Sequence, residues 1–92
     1  MDIWSTIARF QEEETKIFER IKIKTAQLNI DPEVYRDYEN IRKVIVDRIS
    51  YYKRYQPRQG NAWNQKMINH YITNNSLLMA EETRLDYLLA IV

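Results

Sequence analysis

Few side chains in this chain have types and spacings that suit chemistry. The only histidine is His70. A metal site built around it on a helix would want a second His or a carboxylate three or four positions away, on the same face. Those positions hold Lys66, Met67, Thr73 and Asn74. His70 therefore reads as a boundary or surface residue, and neither a metal nor a cofactor is expected. There is no cysteine, which excludes a catalytic thiol and a thiolate metal site. Carboxylates occur as the run Glu12, Glu13 and Glu14, the pair Glu81 and Glu82, and the scattered Asp31, Glu33, Asp37 and Glu39. Acid–base hydrolysis needs two carboxyl groups converging on a cleft with separated pKa values. A phosphate-cradling loop needs more glycine than the single Gly60. The chain is therefore expected to be no enzyme and to have no small-molecule substrate. Glu12 and Glu13 read as a solvated face, with Lys16 four residues after Glu12.

The basic residues offer a different chemistry, that of binding a polyanion. The formal net charge is only +1, yet residues 1–40 carry −3, residues 41–66 carry +6 and residues 67–92 carry −2. Arg36, Lys43 and Arg54 fall on one outer helical face, flanked by Arg42 and Lys53, with Arg58 just beyond. Tyrosines are interleaved with them. Such a stripe fits a phosphate backbone electrostatically, and it would also suit an anionic membrane surface, the less expected partner. Asp47 interrupts it, and the helices are too long for a helix-turn-helix unit. Nucleic acid is therefore the alternative partner, and protein the preferred one.

The elements that must position these residues are set by two breaks. The chain of 92 residues contains one glycine and two prolines, too few turn-formers for a sheet protein of this size. The first break runs from Asn29 to Glu33: Asp31 is a good N-cap, Pro32 suits the first helical position and Glu33 favours the positive end of the helix. The second runs from Gln56 to Asn61, with Asn61 as the cap of the third helix. A single domain over 1–92 results, with helices over about 2–28, 32–56 and 62–91. No segment approaches the roughly 18 uninterrupted apolar residues of a membrane span, and the first residues lack the regions of a secretory signal. An intracellular, cytoplasmic location is expected.

Each helix shows a seam of 4-3 spacing. In the first it is Ile3, Ile7, Phe10, Glu14, Ile17, Ile21, Lys24 and Leu28. In the second it is Val34, Tyr38, Ile41, Ile45, Arg48, Tyr52 and Tyr55, and in the third Asn64, Met67, Tyr71, Asn74, Leu78, Glu81, Leu85, Leu88 and Val92. Folding the helices back on one another predicts layers such as Leu28/Val34/Leu85 and Ile21/Ile41/Leu78. Two polar layers fall between them, Glu14/Arg48/Tyr71 and Lys24/Tyr38/Glu81. The expected fold is all-α, an antiparallel three-helix bundle of coiled-coil-like packing, completed within one chain or by oligomerisation.

In this register Asp86 to Val92 overhang the first loop, an apolar end unsuited to water. Trp4 and Trp63 sit at the opposite end. Trp4, Leu85, Leu88, Leu89, Ile91 and Val92 are the expected partner contacts, since aromatic and apolar side chains dominate interface energetics. Twelve per cent aromatic content exceeds what a slim core holds. A homo-oligomer, most simply a two-fold dimer, is expected. The function this implies is that of a helical protein-interaction module: an adaptor, assembly factor or structural subunit.

Overall fold

The computed structural model describes residues 3–55 and 61–92, the side chains of Asn61 and Ala62 excepted. It is an all-α bundle with α1 at Ile3–Gln27, α2 at Arg36–Tyr55 and α3 at Asn61–Ile91, and no strand among the described residues. The molecule is a rod, 50 × 23 × 16 Å. The second break, Gln56 to Gly60, lies outside the described residues, as does any capping by the Asn61 side chain.

The first break is built as its residues demand. Asn29 takes a left-handed backbone, φ 58°, a conformation that Asn tolerates better than most residues. Its N–H donates to the Ala26 carbonyl at 3.1 Å, and the Ile30 N–H donates to the Thr25 carbonyl at 2.9 Å. This pair of bonds is the Schellman closure of a helix C-terminus. Asp31 then accepts from the Glu33 N–H through its carboxylate at 3.0 Å, with Pro32 in the next position. The element that Asp31 caps, however, is first a 3-10 turn over Pro32–Tyr35, and the α-helix begins only at Arg36.

That turn corrects the expected register. An α-helix rises 1.5 Å per residue, a 3-10 turn about 2.0 Å and an extended residue about 3.3 Å. Residues 30–35 therefore travel back along α1 faster than a helix starting at residue 32 would. In the structure Arg42, not Arg48, reaches Glu14, and Tyr38 packs on Phe18 with ring centroids 5.0 Å apart. The inward face of α2 is Tyr38, Arg42, Ile45, Ile49 and Tyr52, continued by Tyr35 of the 3-10 turn, and of these only Ile49 is buried outright. Val34, Ile41, Arg48 and Tyr55, expected in the seam, are exposed.

α1 and α3 run in the same direction and pack closest, while α2 runs against both and stands further out. One half of the core gathers Ile17, Phe18, Ile21, Leu78 and Leu85, with Leu28 and Ile30 packed against it. The other half is Ile7, Ile49 and Tyr71, covered by Trp4, Phe10, Ile45, Trp63 and Met67. Burying each such aliphatic or aromatic side chain contributes roughly 1.5–3 kcal/mol. The seams of α1 and α3 face inward as their spacing predicts, save for Val92. The offset between them differs by about one turn: Arg20 meets Glu82, 62 positions later. Leu28 is then level with the last full turn of α3 instead of with Leu85, so the overhang shrinks to the final few residues. Among the described residues no helix is long and apolar enough to cross a membrane.

Candidate interaction surfaces

Two polar clusters fix the bundle, and they decide which charged side chains are left for a partner. At mid-height Glu14 is 3 % exposed, on a face otherwise made of Ile7, Phe10 and Ile17. Its carboxylate accepts from Arg42 Nε at 2.8 Å and from Asn74 Nδ2 at 2.6 Å. Arg42 also donates to the Thr15 hydroxyl, and Asn74 to the Tyr38 hydroxyl at 2.9 Å. A buried carboxylate is tolerable only when satisfied in this way. Burial, opposed by the Asn74 hydrogen bond, pushes the Tyr38 phenol above its usual range. Arg42 is therefore a structural ion.

The second cluster lies about two to three turns further along. Lys24 bridges Glu82 at 2.7 Å and Asp86 at 2.6 Å, and Arg20 adds a two-pronged pair to Glu82 at 2.8 and 2.9 Å. Hydrogen bonds from Arg20 and Lys24 hold the Glu82 carboxyl down at about 2. Glu81, the expected partner of Lys24, instead accepts from the Tyr35 hydroxyl at 2.7 Å and from Arg84 at 2.6 Å. Burial, together with that bond to Glu81, pushes the Tyr35 phenol up to about 12. His70 is half-buried against the Tyr71 ring, 5.6 Å between centroids. Glu12 and Lys16 pair on the surface at 3.3 Å.

Of the expected polyanion contacts, Arg42 is thus occupied within the bundle, and exposed Arg36 pairs locally with Glu33 at 3.2 Å. Lys43, Lys53 and Arg54 are exposed. Arg58 lies outside the described residues.

The expected partner contacts divide in a similar way. Leu85 is 0 % exposed, a core residue wedged among Ile17, Phe18, Ile21 and Leu78, and so it presents nothing to a partner in this fold. Leu88 and Leu89 are half-buried, while Ile91 and Val92 are exposed. Trp4 is half-buried in an aromatic group at the other end, 6.1 Å from Trp63, which lies 4.8 Å from Tyr52. It staples the bundle end.

The surface that sequence reasoning missed is on α2. Ile41, Val44, Tyr51 and Tyr55 are 59, 57, 54 and 62 % exposed. With Arg48 between them they form an unbroken 3-4-3-4 series on one flank of the helix, beside the inward face. The signal was present in the spacing. α2 carries two such series, and either could have been the core. Tyr51 stacks at an angle on Tyr55, 4.9 Å between centroids. No family model, no curated protein and no solved structure matches the chain.

Proposed function

We propose that this chain is a non-catalytic helical protein-interaction module, an adaptor, assembly factor or structural subunit that works by helix–helix contact. One observation carries the reading: α2 exposes four large apolar side chains at coiled-coil spacing while burying only Ile49. A helix stripe of this kind is the form that helix-in-groove and helix–helix recognition takes. Ile91 and Val92, with Leu88 and Leu89 behind them, offer a second and smaller apolar end. Nucleic-acid binding, the rival, has less support, because Arg42 is spent on Glu14 and Arg36 on Glu33.

The test is affinity capture from extracts of the protein's own cells, with wild type and a Val44→Glu/Tyr51→Glu variant as baits. Both positions are more than half exposed, so the variant is expected to melt within a few degrees of wild type. Wild type is expected to retain a protein in near-stoichiometric amount that the variant loses. An identical recovery by both baits would defeat the reading. So would a gel shift with nucleic acid that weakens steeply as salt is raised from about 50 mM.

A further inference from the structure

We infer that the partner of the α2 stripe is a second copy of this chain, paired antiparallel through α2. The inference rests on the interaction reading and adds the occupant and its register. Its basis is charge. Among the described residues Asp47, Arg48 and Arg54 have no ion-pair partner. Arg48 lies within the apolar stripe, and Asp47 and Arg54 border it one heptad apart on the side away from the bundle.

Parallel pairing in register would set Arg48 against Arg48 of the other copy, two like charges in an apolar seam. Among antiparallel registers one heptad apart, one sets Asp47 against Asp47 and another sets Arg54 against Arg54. The register between them joins Asp47 of each copy to Arg54 of the other, twice by symmetry. It also lays each Arg48 over the Tyr51 ring of the other copy, a cation–π contact. Val44 then meets Tyr55, giving four layers in all. Flanking charges of this kind set partner and orientation in helix pairs.

The surface relief agrees. One depression on α2 is lined by Val44, Asp47, Arg48, Tyr51 and Tyr52. The first four are spaced as the corners of the hole that receives a knob from a facing helix. In the favoured register that knob is Tyr51 of the second copy. A neighbouring depression, lined by Asp47, Ser50, Tyr51, Arg54 and Tyr55, continues the groove. From Val44 to Tyr55 the seam spans only about 17 Å, which places the dimer among weak and reversible associations.

Sedimentation equilibrium of the whole chain, from about 1 µM to about 1 mM, tests this directly. Wild type is expected to pass from monomer to dimer across that range. Asp47→Arg and Arg54→Asp are each expected to weaken dimerisation by about tenfold or more, and the two together to restore it to within about threefold. Val44→Glu/Tyr51→Glu should stay monomeric with its melting temperature little changed. A wild type that is monomeric at every concentration overturns the inference. A dimer indifferent to both charge reversals overturns it as well, since association then uses another surface. If the wild type is monomeric but captures a different protein that the Val44→Glu/Tyr51→Glu variant loses, self-pairing falls and the interaction reading stands. If capture is also unchanged, both fall.

Discussion

Glu14 of α1 and Arg42 of α2, 28 residues apart, meet at 2.8 Å in the middle of the bundle, where the carboxylate is almost wholly enclosed. This pair ties the outlying helix to the close-packed pair of α1 and α3, because Asn74 of α3 donates to the same carboxylate. Of α2 only Ile49 is buried outright, and this polar junction adds to the packing of Tyr38, Ile45 and Tyr52 in holding the helix.

Arg42→Ala is accordingly expected to destabilise the chain by about 2–4 kcal/mol, since it strands a buried carboxylate. Arg48→Ala, at an exposed position, should change stability by no more than about 0.5 kcal/mol. Replacing both partners, Glu14→Met with Arg42→Met, should recover most of the loss, because the desolvation cost of the pair disappears with its attraction. Urea unfolding of the three variants checks this. Equal effects at positions 42 and 48 would contradict the observed register.

The seams of α1 and α3 were legible because each carries one dominant apolar stripe, and even its charged members, Glu14 and Lys24, turned inward. α2 was legible only at alternate positions: Tyr38, Ile45 and Tyr52 face the bundle, whereas Ile41, Arg48 and Tyr55 do not. The expected seam draws Tyr38, Ile45 and Tyr52 from the inward series and Ile41, Arg48 and Tyr55 from the exposed one, so periodicity cannot choose between them. The choice also involves phase: a 3-10 turn over Pro32–Tyr35 advances about 120° per residue where an α-helix advances about 100°, so α2 starts rotated relative to a helix opening at Pro32. That Glu14 would find a basic partner could be read from the sequence. Which arginine it would be could not, and the exposed face of α2 was hidden by the same ambiguity.

Glu82 predicts a specific pH response. Its carboxyl is held near 2 in the folded chain by Arg20 and Lys24, below its ordinary value of 4.5. A depressed folded pKa means that the stabilisation is fully present above about pH 5 and is lost as pH falls from there toward 2. Because Arg20 is half exposed, solvent screening limits the contribution to about 1–2 kcal/mol. Glu82→Gln should lower stability at neutral pH by about that amount and flatten the stability profile between pH 5 and 2. Thermal melts at half-unit intervals would show it. A variant curve parallel to wild type throughout this window would be inconsistent with the pairing.

Leu85 and Leu77 lie on one helix eight residues apart and should respond very differently to truncation. Leu85 is enclosed by Ile17, Phe18, Ile21 and Leu78, so Leu85→Ala should cost about 2–5 kcal/mol. In a domain of this size that is a loss of some tens of degrees at the upper end. Leu77 is 64 % exposed, and its replacement by Ala should shift stability by under about 1 kcal/mol. Calorimetry of the pair separates a core role for Leu85 from a surface one.

The closure of α1 can itself be probed at Asn29. Its left-handed φ places the side chain where a Cβ is penalised, and the two hydrogen bonds closing α1 depend on that conformation. Asn29→Gly removes the penalty and is expected to stabilise the chain by a few tenths to about 1 kcal/mol. A β-branched residue bears the steric cost in full, so Asn29→Val should destabilise by about 1–2 kcal/mol. Because the position is exposed, hydrophobicity does not confound the comparison through burial. Urea midpoints at constant slope would report the difference. Matching midpoints for Gly and Val would mean that residue 29 does not adopt the left-handed conformation.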